Sequence, residues 1–228
     1  MPLSAPYRPL PVIPGQSNYA RKVWWRGFEL TPGVTLKTLV RLRPSLAAQA
    51  DNPRHLLPAL VQAASAGLSL HPRLNFYTFW GRLVWAGEPV RVDVVMENPD
   101  LTCYMATISD AHRLSWPELR RAIHEARHAP PPGLTERLRE AWPLPTYVIE
   151  RLSGAWARRH VRVKAPLTIS MLALPGIEEL TFAPAHSMAL MPGWPRDGVL
   201  PLSLCFNHQL ANARPVGRLL LTIKDLLE

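Results

Sequence analysis

The chain has 228 residues, 47% of them hydrophobic and 19% charged, the composition of a globular protein with one sizeable core or two small domains. Its net charge of +9 comes almost wholly from Arg; this favours anionic partners, but no run of five Lys/Arg occurs and no basic motif is interleaved with aromatics, so nucleic acid is not expected. No stretch approaches the length of a membrane span, and the first ten residues lack the apolar segment of a signal peptide, so a cytoplasmic protein with no membrane partner is expected.

Residues 1–20 are rich in Pro, Gly and Ser and read as an extended arm, with residues 21–228 as a single domain. Residues 23–30 alternate as a strand. Over residues 35–50 the apolar positions Leu36, Leu39, Val40 and Leu46 predict a helix interrupted at Pro44. A second helix is expected over residues 53–70, with Leu57, Leu60, Val61 and Ala64 on one face, and His71-Pro72 ends it. Residues 76–85 and 90–97 read as strands flanking the turn signal Ala86-Gly87-Glu88-Pro89, and residues 101–108 as a third. Ser115-Trp116-Pro117-Glu118 is a capping box with Pro near the helix start. Its helix is predicted to run to about residue 128, before three consecutive prolines.

Residues 133–163 are expected to hold one or two short Arg-rich helices. Strands follow over residues 167–172, 187–191 and 199–206. A last helix, about residues 214–227, carries Leu219, Leu220, Ile223, Leu226 and Leu227 at helical spacing. Cys103 and Cys205 fall in strand-like runs and read as buried thiols. Strands and helices alternate throughout, which makes the class α/β.

The most informative stretch is Leu200-Pro201-Leu202-Ser203-Leu204-Cys205-Phe206-Asn207-His208-Gln209-Leu210-Ala211-Asn212-Ala213. It reads as a buried strand that delivers His208 at its C-terminal end, just before a helix. A neutral imidazole there can serve as a general base near neutral pH; a lone histidine at a strand end can also be purely structural.

This arrangement resembles the C-terminal part of the dihydrolipoamide acyltransferases of 2-oxoacid dehydrogenase complexes, which share a fold with chloramphenicol acetyltransferase. The family pattern is an apolar strand, Asp-His-Arg, three residues to an Asp or Asn, then Gly and a helix ending in Leu-Glu. Here Asn207-His208-Gln209 stands for Asp-His-Arg, Asn212 for the Asp/Asn, and Ala213 for the Gly, and the chain closes on Leu227-Glu228. Upstream, Leu167-Thr168-Ile169-Ser170 is similar to the family's Thr-Ile-Ser segment, with Pro175-Gly176-Ile177 and Phe182-Ala183-Pro184 after it. His71-Pro72-Arg73-Leu74-Asn75 resembles the end of an early family helix. The run from Leu101 through Ile108-Ser109-Asp110 to Leu119 resembles the strand, loop and capped helix beside the substrate channel. Ser170 stands 38 residues before His208, a shorter gap than is typical, so the hairpin around Trp194 to Gly198 is expected to be trimmed.

The resemblance implies a two-layer sandwich of a mixed sheet and helices, and acyl transfer between coenzyme A and a thiol such as dihydrolipoamide. It assigns His208 as general base, Ser170 as hydrogen-bond donor to the oxyanion, and Asn212 as a further site residue. It implies a homotrimer with the site between subunits. Coenzyme A enters as the acyl carrier and no metal is called for. No lipoyl or peripheral-subunit-binding domain is recognised, so a lipoyl group would come from another chain. The changes at Asn207, Gln209 and Ala213 motivate the alternative of a scaffold or interaction subunit that has lost turnover, and transfer to a hydroxyl or amine is a third possibility. His124-Glu125-Ala126-Arg127-His128 fits the H-E-x-x-H zinc pattern. The charge of Arg127, the prolines close behind and the lack of an evident third ligand make a solvated helix face the better reading.

Overall fold

A computed structural model describes residues 33–79, 82–97, 103–127, 165–171, 188–208 and 211–228. The expected arm, the strand at residues 23–30, the Arg-rich helices and the Pro175 and Phe182 segments lie outside these residues. The described strands are β1 (Gly33–Arg41), β2 (Phe76–Phe79), β3 (Arg82–Trp85), β4 (Arg91–Glu97), β5 (Cys103–Ser109), β6 (Leu167–Ile169), β7 (Met188–Pro192) and β8 (Val199–Asn207). The helices are α1 (Pro44–Ala47), α2 (Leu57–Leu70), α3 (Trp116–Arg127) and α4 (Ala213–Leu227). Six strands form one mixed sheet in the order β1-β8-β7-β6-β4-β5. β6 runs parallel to both β4 and β7, and the other pairings are antiparallel.

Two expectations are corrected. The segment predicted as a helix from residue 35 is the strand β1, paired with β8 over its whole length. Leu36, Leu39 and Val40 mimic one helical face, but Val40 is fully buried while Leu39 is 62% exposed. Leu36, Thr38 and Val40 share one side of a period-two pattern, and only the short α1 after Pro44 is helical. The single strand expected over residues 76–85 is a hairpin: β2 and β3 pair with Phe76 opposite Trp85, separate from the six-stranded sheet.

The sheet's helix-side face is built by alternation. Leu200, Leu202, Leu204 and Phe206 of β8 join Met188 and Leu190 of β7, Leu167 and Ile169 of β6, and Val92 and Val94 of β4 in one core. All five residues of β7 are buried, which is why Met188-Ala189-Leu190-Met191-Pro192 reads as a continuous apolar run: a central strand is covered on both faces. On the other face Ala189, Met191 and Cys205 form a small cluster. β7 and β8 are joined by a tight turn with both central residues, Asp197 (φ 51°) and Gly198 (φ 72°), in the left-handed region. Arg196 and Val199 exchange backbone hydrogen bonds of 2.9 and 2.8 Å across it, the two-residue hairpin geometry that Asp-Gly favours.

The helices close the core. α4 buries Val216, Leu219, Leu220, Ile223 and Leu227, each worth about 1.5–3 kcal/mol over exposure. It crosses α2 at Gly67, where a Cβ would sit 2.9 Å from Leu219 Cδ1 and 3.0 Å from Ile223 Cγ1. At the far end of α4 the last carbonyls are answered: Arg43 donates its guanidinium N–H to the Leu226 oxygen at 2.9 Å and its backbone N–H to the Leu227 oxygen at 3.1 Å. Helix C-terminal carbonyls lack partners within the helix, so this contact also ties α4 to the end of β1. α3 starts as predicted, with the Glu118 carboxylate accepting from both the hydroxyl (2.6 Å) and the backbone N–H (2.8 Å) of Ser115.

Candidate active site

β8 places its side chains alternately on the two faces, and Phe206 is its last core residue. Asn207 still pairs with Gly33 of β1; His208 is the first residue beyond the strand. Its ring is half-buried and lies 6.1 Å from the Phe206 ring, the planes inclined by 25°. The strand's burial thus dictates where the imidazole sits: a well-anchored phenyl group supports one side of it. Gln209 and Leu210 lie outside the described residues. Ala211 is buried, and Asn212 then adopts an extended backbone (φ −71°, ψ 158°) as the N-cap of α4. Its exposed side chain makes no capping hydrogen bond. An uncapped Asn at this position leaves a carboxamide for another use, because the capping role that favours Asn here is not exercised. Ala213 opens α4 and is exposed, so its methyl projects from the surface of the single chain.

Ser170 follows β6 directly. Its N–H donates to the Leu190 oxygen at 3.0 Å, continuing the β6–β7 ladder, and the residue is half-buried. The register sets its distance from His208. Ile169 pairs with Leu190, so Ser170 stands level with Met191, which pairs with Ser203 of β8. His208 is five residues beyond Ser203, or roughly 17 Å along the strand, and two strand spacings, about 10 Å, to the side. The two groups therefore do not meet within one chain. Asn212 and His208, by contrast, belong to one connection.

A Ser–His pair does form elsewhere, with no sequence signal to announce it. Ser65 Oγ lies 2.8 Å from His112 Nδ1 and accepts the His112 backbone N–H at 3.2 Å. Ser65 is fully buried in α2, so no acyl carbonyl reaches its hydroxyl. The pair joins α2 to the turn Ala111–Arg113. Cys205 is 2% exposed and is equally inaccessible. His124 and Glu125 lie on the exposed surface of α3, with His128 outside the described residues. Among the described residues no group of three His, Cys, Asp or Glu side chains is placed to hold a metal ion.

No family model matches the sequence, and no curated protein does. Solved structures do match in fold. A Listeria monocytogenes protein described as a probable dihydrolipoamide acetyltransferase superposes with a TM-score of 0.60 at 14% identity, over 98% of this chain and 95% of that one. A chloramphenicol acetyltransferase gives 0.58 at 11% identity, over 97% and 100%. The dihydrolipoamide acetyltransferase of Azotobacter vinelandii, in which a serine, a histidine and an asparagine have been investigated for their catalytic roles, gives 0.53 at 20%, over 92% and 86%. The chain has the chloramphenicol-acetyltransferase-like fold, as its motifs imply.

Proposed function

We propose that this protein is an acyltransferase that moves an acyl group between coenzyme A and a thiol, with His208 as the base. The observation that carries the reading is the β8–α4 connection. It presents a half-buried imidazole at the end of a core strand and an uncapped Asn four residues later, in a fold whose similar structures include acetyltransferases. The Azotobacter vinelandii enzyme has the same histidine-to-asparagine spacing.

In this mechanism His208 accepts the proton of the attacking thiol, and the sulfur adds to the thioester carbonyl. The carbonyl electrons move onto oxygen, where the Ser170 hydroxyl donates a hydrogen bond. Collapse expels the other thiolate, which takes the proton back from the imidazolium. General-base catalysis of this kind contributes about 10²–10⁴-fold, and one oxyanion donor about 10²–10³-fold. Asn212 is assigned a positioning role beside the base.

The separation of Ser170 from His208 in one chain requires a second copy to complete the site. A homotrimer with each site shared across an interface supplies it, and an oligomeric ring is the natural product of such a head-to-tail contact. The acceptor thiol would be free or carried by a lipoyl-bearing protein.

The test is thiol-dependent acyl exchange from acetyl-CoA and larger acyl-CoA esters to dihydrolipoamide. Exchange that His208→Ala lowers by about 10²–10⁴-fold, with thermal unfolding unchanged, is the expected result. No exchange with any ester or dithiol would favour a scaffold role, to which the replacements at Asn207, Gln209 and Ala213 also point.

A further inference from the structure

A cleft of about 570 Å³ opens between the C-terminal end of α2 and the first turns of α4, within the size range of small-molecule sites. Leu70, His71 and the turn Pro72–Leu74 form one wall; Arg214, Pro215 and Arg218 form the other. Its charge is one-sided. Arg73, Arg214 and Arg218 stand exposed around it, and among the described residues no carboxylate lines it. Among the described residues none of these three guanidinium groups makes an ion pair or a hydrogen bond. Some other Arg side chains are engaged: Arg43 on a helix terminus, Arg113 near Asp110, Arg120 over the Trp116 ring.

The walls are also braced. Thr222 donates its hydroxyl proton to the Arg218 carbonyl at 3.0 Å, so its oxygen must accept from His71 Nε2–H at 2.8 Å. That chain links the end of α2 to α4. The prolines Pro72 and Pro215 restrict the backbone on either side. Three permanent cations border one cleft, which favours an anion there. A guanidinium fork matches phosphate oxygens two at a time.

We propose that this cleft is a phosphate-binding subsite for the pyrophosphate and sugar-phosphate groups of a nucleotide-bearing acyl carrier. Identifying the occupant as the nucleotide end of coenzyme A rests on the acyl-transfer reading; the anion specificity does not. His208 begins the β8–α4 connection and Arg214 lies in the first turn of the helix that follows it, so a carrier anchored here is held by the helix that continues from the base.

The experiment measures binding of inorganic pyrophosphate and of desulfo-coenzyme A to the full chain by calorimetry. It compares wild type, Arg73→Gln, Arg214→Gln, Arg218→Gln and, as a control on an exposed α3 position, Arg121→Gln. Each cleft substitution should weaken both ligands about 10- to 100-fold, the loss of charged hydrogen bonds. Arg121→Gln should bind as wild type, and Arg214→Lys should fall between Arg214→Gln and wild type. In acyl exchange, the cleft variants should raise KM for acetyl-CoA with kcat held, and leave KM for acetyl-pantetheine, which has no phosphate, unchanged. Absence of pyrophosphate and desulfo-coenzyme A binding at low ionic strength, or binding equal in all variants, overturns the proposal. Exchange that needs His208 but ignores the three arginines also sinks the cleft and spares the acyl-transfer reading. Arginine-dependent binding without any exchange supports the cleft as an anion site and removes that reading instead.

Discussion

The body of α4 and its first turn belong to one helix but obey different rules. From Val216 onward the helix is set by packing: five side chains are buried, and Gly67 of α2 lets it approach to within van der Waals contact. Residues Asn212, Ala213, Arg214 and Pro215 are all exposed, and no side-chain cap secures the helix start. The buried groups are worth together on the order of 10 kcal/mol before entropy, against the roughly 1 kcal/mol a cap contributes. The fold can therefore leave this rim unoptimised at small cost, and its residues are available for recognition and chemistry. Substitutions at the rim should change activity, and substitutions in the body should change stability.

The sharpest way to break that division is to separate the two groups proposed for catalysis, Ser170 and His208, genetically. Ser170→Ala and His208→Ala should each lower exchange by about 10²–10⁴-fold without moving the unfolding temperature. Co-assembled in equal amounts, the two inactive chains should regain roughly a quarter of wild-type activity, the chance that a ring interface pairs an intact Ser170 with an intact His208. No recovery in confirmed mixed oligomers would mean that the site is not shared. In the body, Leu219→Ala should cost about 2–5 kcal/mol in denaturant unfolding. A full-length helix body that tolerates this change would undo the contrast.

Gly67→Ala is a finer probe. Alanine gains about 1 kcal/mol of helix propensity, but its methyl overpacks against Leu219 and Ile223, typically at a cost of about 1–3 kcal/mol. Both neighbours are fully buried, so the net result should be a small loss of stability. The smallest effect belongs to the start of α3. Hydrogen bonds from the Ser115 hydroxyl, then from its backbone N–H, hold the exposed Glu118 carboxyl below its usual range. Its contribution is present above the ordinary carboxylate pKa and is lost as pH falls through the lowered value. Glu118→Gln should therefore be slightly less stable than wild type near neutral pH, and the gap should close in acid.

Much of the architecture was legible in the chain. The 3.6-residue spacing of Leu219, Leu220, Ile223 and Leu227 marks α4, Ser115 and Glu118 mark the start of α3, and Val92 and Val94 alternate as a strand should. What misled was β1, because Leu36, Leu39 and Val40 satisfy a helical face and a strand alike, and pairing with β8 settled the matter. Residues 76–85 read as one strand because Gly81 alone, between Phe79 and Arg82, marks where the apolar run folds back. The Ser65–His112 contact was invisible, since nothing local distinguishes a buried serine from an exposed one.

The sequence alone determined the class of the fold, the strand that ends in His208, and the residues that resemble a catalytic set, because periodicity and short motifs are local properties of a chain. Only the tertiary structure decided that Ser170 and His208 stand on levels of the sheet too far apart to meet in one copy, and that Arg73 borders one cleft with Arg214 and Arg218 of α4. Strand order, register and helix crossing are set by which surfaces pack together, and no local pattern encodes them.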